Sequence, residues 1–130
     1  MTSIRSSIRR VSLALTVSAT LVLGACAVMA PPPAMTAGGL LIDAAGMTLY
    51  TFDKDAAGRS ACNGPCAKNW PPLMAPADAK PRGDYSVVTR DDGSRQWAYK
   101  GRPLYTWVKD MKAGDTTGDG FNSVWHIARP

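Results

Sequence analysis

Shifting the chain against itself by 55 residues superposes Gly46-Met47-Thr48-Leu49-Tyr50-Thr51-Phe52-Asp53-Lys54-Asp55 on Gly101-Arg102-Pro103-Leu104-Tyr105-Thr106-Trp107-Val108-Lys109-Asp110. Six of these ten positions are identical, and Phe52/Trp107 exchanges one aromatic ring for another. The same offset, without a gap, sets Trp70 on Trp125. Average composition gives about 6% identity per position, so chance supplies well under one match in ten. The chain therefore carries an internal duplication. With two copies of about 55 residues, it forms one pseudo-symmetric domain rather than a solenoid, which needs at least three stacked units.

Each copy reads as β-structure. Leu40-Leu41-Ile42 precedes a turn at Asp43-Ala44-Ala45-Gly46, and Thr48 to Phe52 follows. Period-2 geometry sends Tyr50 and Phe52 to one face of that strand and Leu49 and Thr51 to the other. The second copy repeats the pattern over Leu104 to Val108, with Tyr105 and Trp107. Before it, Tyr85 to Arg90 and Arg95 to Lys100 form a hairpin about the Asp91-Asp92-Gly93-Ser94 turn, with Trp97 and Tyr99 alternating. A last strand spans Ser123 to Ala128 and carries Trp125. The Pro-rich stretch from Pro71 to Pro81 is expected as a surface connection. A single helical turn is allowed around Pro65 to Asn69. The expected fold is a small antiparallel all-β domain over residues 38–130, with repeat motifs at 46–73 and 101–130.

What precedes the domain points to export. Met1 to Arg10 holds Arg5, Arg9 and Arg10, and Val11 to Leu23 is a 13-residue apolar run. That run is too short for a bilayer core, which takes about 20 residues. Basic start, short apolar run and small residues together make a secretory signal peptide, residues 1–25. Leu23-Gly24-Ala25-Cys26 resembles the bacterial lipobox, in which cleavage leaves the cysteine, here Cys26, lipidated; ordinary secretion with a cut after Ala25, Ala27 or Ala30 is the other reading. Diacyl modification supplies the two chains that stable anchoring needs. Residues 26–37, with Pro31-Pro32-Pro33, then read as a stiff proline-rich tether. Ala27 after the lipidated cysteine favours the outer membrane where the host has one.

Charge and composition narrow the function classes. Beyond residue 25 the chain holds 12 Lys and Arg against 10 Asp, a formal charge of +2, so the apparent basicity belongs mainly to the leader. No basic run interleaved with aromatics is present there, and nucleic acid is not an expected partner. The chain has no Glu and a single histidine, His126. No nucleophile elbow accompanies that histidine, so hydrolytic triad chemistry is not expected, and it reads as a satisfied surface residue. No cofactor or metal is expected.

Several residues carry alternative readings. Cys62 and Cys66 occur in Cys62-Asn63-Gly64-Pro65-Cys66. In an oxidising compartment they are expected to pair as a local clip, whose loop closure contributes only about 2 kcal/mol. The alternative is a redox-active dithiol, although the spacing is not C-x-x-C and no βαβ pattern surrounds it. Asp55 and Asp110 stand at equivalent positions just past a strand end. They read as turn caps for backbone N–H groups, with a hard-cation site as the alternative. An EF-hand fails, because Gly64 stands where the bidentate Glu belongs. The aromatic rings Tyr50, Phe52, Trp70, Trp97, Tyr99, Tyr105, Trp107 and Trp125 read as core, or as an exposed ligand platform.

The two motifs Tyr50-x-Phe52-x-x-Asp55 and Tyr105-x-Trp107-x-x-Asp110, with Cys62-x-Gly64-x-Cys66-Ala67-x-x-Trp70-Pro71-Pro72-Leu73, resemble the bacterial envelope lipoproteins defined by a Yx(FWY)xxD motif. That family is also described as a secreted repeat of unknown function. The resemblance covers residues 39–130 and implies envelope location and a repeated β-architecture. It implies no reaction. The second copy has Thr117 and Phe121 where the first has Cys62 and Cys66, so a disulfide is not a requirement of each repeat.

The expected function is therefore a lipid-anchored envelope protein with a non-enzymatic binding or structural domain. Its partners would be the membrane, through the anchor, and an unidentified envelope protein or small ligand. The alternative is a periplasmic redox or metal-handling protein using Cys62 and Cys66. A reaction of unfamiliar type would need a pocket gathering Asp55, Asp110 and the tyrosine hydroxyls across the pseudo-dyad.

Overall fold

The duplicated segments meet at their tyrosines. In the computed structural model, which describes residues 17–25 and 29–130, Tyr50 N donates to Tyr105 O at 2.8 Å and Tyr105 N donates to Tyr50 O at 3.0 Å. This reciprocal pair lies on the pseudo-twofold axis that relates the copies. Most of the signal-peptide reading, and Cys26, fall outside the described residues.

Seven short strands build the domain: β1 (Met35–Ala37), β2 (Leu40–Ile42), β3 (Tyr50–Phe52), β4 (Tyr85–Thr89), β5 (Arg95–Tyr99), β6 (Arg102–Pro103) and β7 (Trp125–Ile127). One α-helical turn, α1 (Pro65–Asn69), and a 3-10 turn at Phe121–Ser123 complete the regular structure among the described residues. The sheets are small and antiparallel: β1 with β2, β3 with β7, and β4-β5-β6. The fold is all-β, as its sequence pattern requires.

The copies are interleaved rather than side by side. Strand β7 of the second copy pairs with β3 of the first, with Tyr50 opposite Ile127 and Phe52 opposite Trp125. The equivalent segment of the first copy, Trp70 to Pro72, with Leu73 after it, crosses the other way: Thr106 N donates to Pro71 O and Leu73 N to Leu104 O, both at 2.8 Å. Two closed triangles of backbone bonds follow. In one, Leu41 N donates to Ala128 O, Ala128 N to Leu49 O and Leu49 N to Leu41 O. In the other, Trp97 N donates to Leu73 O, Leu73 N to Leu104 O and Leu104 N to Trp97 O. Each triangle takes two corners from one copy and the third from the other.

Strand alternation divides the interior in two. Tyr50, Cys62, Trp70, Tyr105, Trp107 and Trp125 form one buried cluster, with Phe52 packed against it. Leu49 and Leu104, the residues pointing the opposite way, join Ala34, Leu41 and Ala128 in a second. Both faces of the motif strands are therefore covered, which is why the motif carries apolar residues on both sides.

The structure shifts several boundaries. Ala34 is buried at 5% exposure and β1 follows it, so the domain takes in the last residues of the stretch expected as tether. Met35–Ala37 finds a partner in β2 through the Gly38-Gly39 reversal. The Pro71–Pro81 stretch is a surface connection only in part. Its first residues are the crossing segment, because Leu73 and Ala75 supply N–H groups while the neighbouring prolines need only accept. The strand expected over Leu104 to Val108 breaks up. Strand β6 stops at Pro103, and Tyr105 makes only single bridges to Tyr50 and Pro72, since Pro72 has no N–H to continue a ladder. The last strand narrows to β7, because Asn122 and Ser123 adopt positive φ. In β5 the buried residues are Gln96 and Ala98, and Trp97 and Tyr99 are half-buried.

Candidate functional site

The Tyr–Asp motif works across the pseudo-dyad. Tyr50 Oη donates to Asp110 Oδ2 at 2.6 Å, and Tyr105 Oη donates to Asp55 Oδ2 at 2.7 Å. Each copy thus supplies a hydroxyl to the other copy's carboxylate. The remaining carboxylate oxygens cap loops: Asp55 Oδ1 accepts from Ala61 N at 2.7 Å, and Asp110 Oδ1 accepts from Thr117 N at 2.9 Å and Thr117 Oγ1 at 2.6 Å. The four groups form two separate pairs rather than one common pocket.

Burial sets the electrostatics. Removal from water, reinforced by the neighbouring carboxylate, pushes both tyrosine hydroxyls well above their usual range. Desolvation also raises Asp55, against the opposing pull of its hydrogen bonds and of Arg90. Both tyrosines accordingly stay protonated and act as donors, the role the geometry gives them.

The aromatic rings stack across the pseudo-dyad. Phe52 lies on Trp125 at 4.2 Å between centroids, Trp125 on Trp70 at 3.8 Å, and Trp70 on Trp107 at 4.0 Å. The two central indoles are dyad mates, inclined by only 3°. Tyr50 meets Trp70 edge-on and Tyr105 meets Trp125 in the same way, at 5.4 and 5.1 Å. These rings are core. Gly118 packs so closely that a Cβ there would lie 2.7 Å from Trp70 Cη2.

The copies differ at their flanks. Cys62 and Cys66 are joined in a disulfide, and Cys62 lies in the aromatic core. In the second copy Phe121 stands at the Cys66 position and packs against Trp107 at 4.9 Å. Beside the disulfide lies a network the sequence reading missed. Arg90, 5% exposed, donates to Ser60 Oγ, Gln96 Oε1 and Cys62 O at 2.9, 2.8 and 2.6 Å. Gln96 Nε2 donates to Leu104 O, and Ser60 Oγ lies 2.7 Å from Tyr105 Oη. The network therefore runs from the β4–β5 hairpin to the Tyr105–Asp55 pair. Strand period 2 is the signal that could have found it, since Arg90 falls on the same face as buried Val88.

His126 Nε2 lies 2.7 Å from Asp53 Oδ2 on the surface, with both side chains less than half exposed after a comparable fashion, 45% and 42%. Among the described residues no group of three or more His, Cys or Asp is arranged to hold a metal ion. A cleft of about 220 Å³ is lined by Asp53, Asp55, Lys100 and Arg102, so the motif carboxylate of Asp55 borders open space there.

These features, two interleaved β-copies sharing one aromatic core, define a duplicated-repeat domain. A sequence family described as a secreted repeat of unknown function matches residues 34–74 and again 86–129, and the chain belongs to it. The matched units are repeats of about 45 residues, shorter than the 55-residue offset that separates the motifs. No curated protein matches the chain, and no solved structure does.

Proposed function

We propose that the chain is a lipid-anchored protein of the bacterial envelope, tethered through Cys26, whose duplicated domain is a non-catalytic binding module. The observation that carries the second half is the use made of the motif side chains. The hydroxyls of Tyr50 and Tyr105 and the carboxylates of Asp110 and Asp55 are spent on holding the two copies together. Membership of a secreted family and the lipobox-like Leu23-Gly24-Ala25-Cys26 support the first half. Ala27, where an Asp would resemble an inner-membrane retention signal, favours the outer membrane in a host with two membranes.

The test is the intact mass of the protein purified from the envelope, with metal analysis of the same sample. The expected product begins at Cys26, carries a diacylglyceryl group and moves to the soluble fraction in Cys26→Ser. A cut at another site without added lipid overturns the anchor. Stoichiometric metal overturns the assignment of the domain as a module without metal chemistry.

A further inference from the structure

The duplication gives surface features counterparts, and one pair of grooves has diverged in chemistry. The first, about 480 Å³, is bounded by Asp43, Ala44, Leu73 and Met74 and by the chain's own Ala30–Pro33. The second, about 230 Å³, is bounded by Tyr99, Lys100, Arg102, Ala128 and Arg129. Ala128 and Arg129 lie 55 positions after Leu73 and Met74, and the turn after β5 stands where the turn after β2 stands in the first copy.

In the first groove, apolar residues border a proline-rich strap of the same chain. Arg82 Nη1 fastens that strap, donating to Ala30 O at 2.7 Å and Pro31 O at 3.2 Å. In the second groove Met74 is replaced by Arg129, Met47 by Arg102 and the alanine of the turn by Lys100. None of these three cations is in an ion pair among the described residues; Arg129 Nη1 donates to Gly39 O at 3.3 Å and Lys100 Nζ lies 5.1 Å from the Tyr99 ring centroid, contacts that leave both charges unneutralised. Lys100 also occupies a costly position. It has φ 48° and Gly101 φ 79°, in a two-residue hairpin loop that favours Asn, Asp or Gly. Backbone preference does not explain a lysine there.

We infer that the groove walled by Lys100, Arg102 and Arg129 binds an acidic peptide segment, seating an Asp or Glu side chain among the three cations. The dyad-related groove is bordered by polypeptide of the same chain, which points to a peptide occupant, and the three cations outside any ion pair set its charge. The space is below the ~300 Å³ of small-molecule pockets, so it holds a side chain and its adjoining backbone. This deepens the binding-module reading and is independent of the lipid anchor.

The test uses the full chain in non-ionic detergent and the anisotropy of fluorescein-labelled hexaglutamate, with labelled hexaglutamine as the uncharged control. Saturable binding of hexaglutamate alone is expected. The triple variant Lys100→Gln/Arg102→Gln/Arg129→Gln should weaken it about tenfold. Lys68→Gln/Lys109→Gln/Lys112→Gln, which removes the same charge elsewhere, should leave it unchanged. Equal weakening by both triples, or no hexaglutamate binding, overturns the inference. Displacement by phosphatidylglycerol added to the micelles at equal charge assigns the groove to lipid headgroups and also overturns it. Loss of the Cys26 modification would leave the result unaffected, which separates the two failures.

Discussion

The Tyr50 hydroxyl reaches Asp110, 60 residues along the chain and in the other copy, at 2.6 Å. Tyr105 returns the same bond to Asp55. The motif is therefore a clasp between repeats, and the spacing of tyrosine and aspartate within one copy does not describe a contact within that copy.

Breaking the clasp should cost more on one side than on the other. Tyr50→Phe leaves a carboxylate that is 6% exposed without its hydroxyl donor, a loss of about 2–3 kcal/mol. Tyr105→Phe should cost less, since Asp55 is only half-buried and its carboxylate is easier to hydrate. Chemical denaturation of both variants checks the order. A double-mutant cycle of Tyr50→Phe with Asp110→Asn should give a coupling of about 1–2 kcal/mol.

The pH dependence follows from the direction of the shifts. Both tyrosines are raised above 10.0 in the fold. Their contribution is fully present below pH 10 and is lost as pH rises from there toward the folded values, because the unfolded chain then releases protons that the fold retains. Thermal midpoints should fall more steeply above pH 10 in the wild type than in Tyr50→Phe/Tyr105→Phe. Asp55 is raised above 3.8, so its contribution is likewise lost as pH rises through its folded value. The midpoint of Asp55→Asn relative to wild type should climb between pH 3 and neutrality, on the order of that window.

Gly118→Ala should destabilise by about 1–3 kcal/mol, because the added methyl meets the Trp70 ring and Trp107 at its base. The near-ultraviolet circular dichroism of the stacked indoles should weaken in the same variant, whereas Gly93→Ala, in open space, should leave that signal intact.

Arg90→Met should cost about 3 kcal/mol, since it strands Gln96, Ser60 and the Cys62 carbonyl together. Cys62→Ala/Cys66→Ala removes a short loop closure and should cost about 2 kcal/mol. Denaturation midpoints of the two variants give the ranking.

The sequence made the fold class legible because the repeat and the strand alternation are local. Leu49 and Tyr50 point to opposite clusters, as neighbouring strand residues must. Strand partners were not legible, since nothing near Phe52 says that Trp125 rather than its own copy's Trp70 lies opposite. Arg90 escaped for a related reason. At a strand end beside Asp91 and Asp92 it has the surroundings of a solvated residue, and its acceptors Gln96 and Ser60 become neighbours only on folding.

The crossing of β7 onto β3 also governs when the chain can lock. A polypeptide exported from its N-terminus delivers Leu41, Leu49 and Tyr50 first, whereas Ala128, which is hydrogen-bonded to Leu41 and Leu49, and Ile127, which lies opposite Tyr50, follow more than 70 residues later. Neither copy is complete without strands from the other, so the chain stays threadable until β7 has crossed.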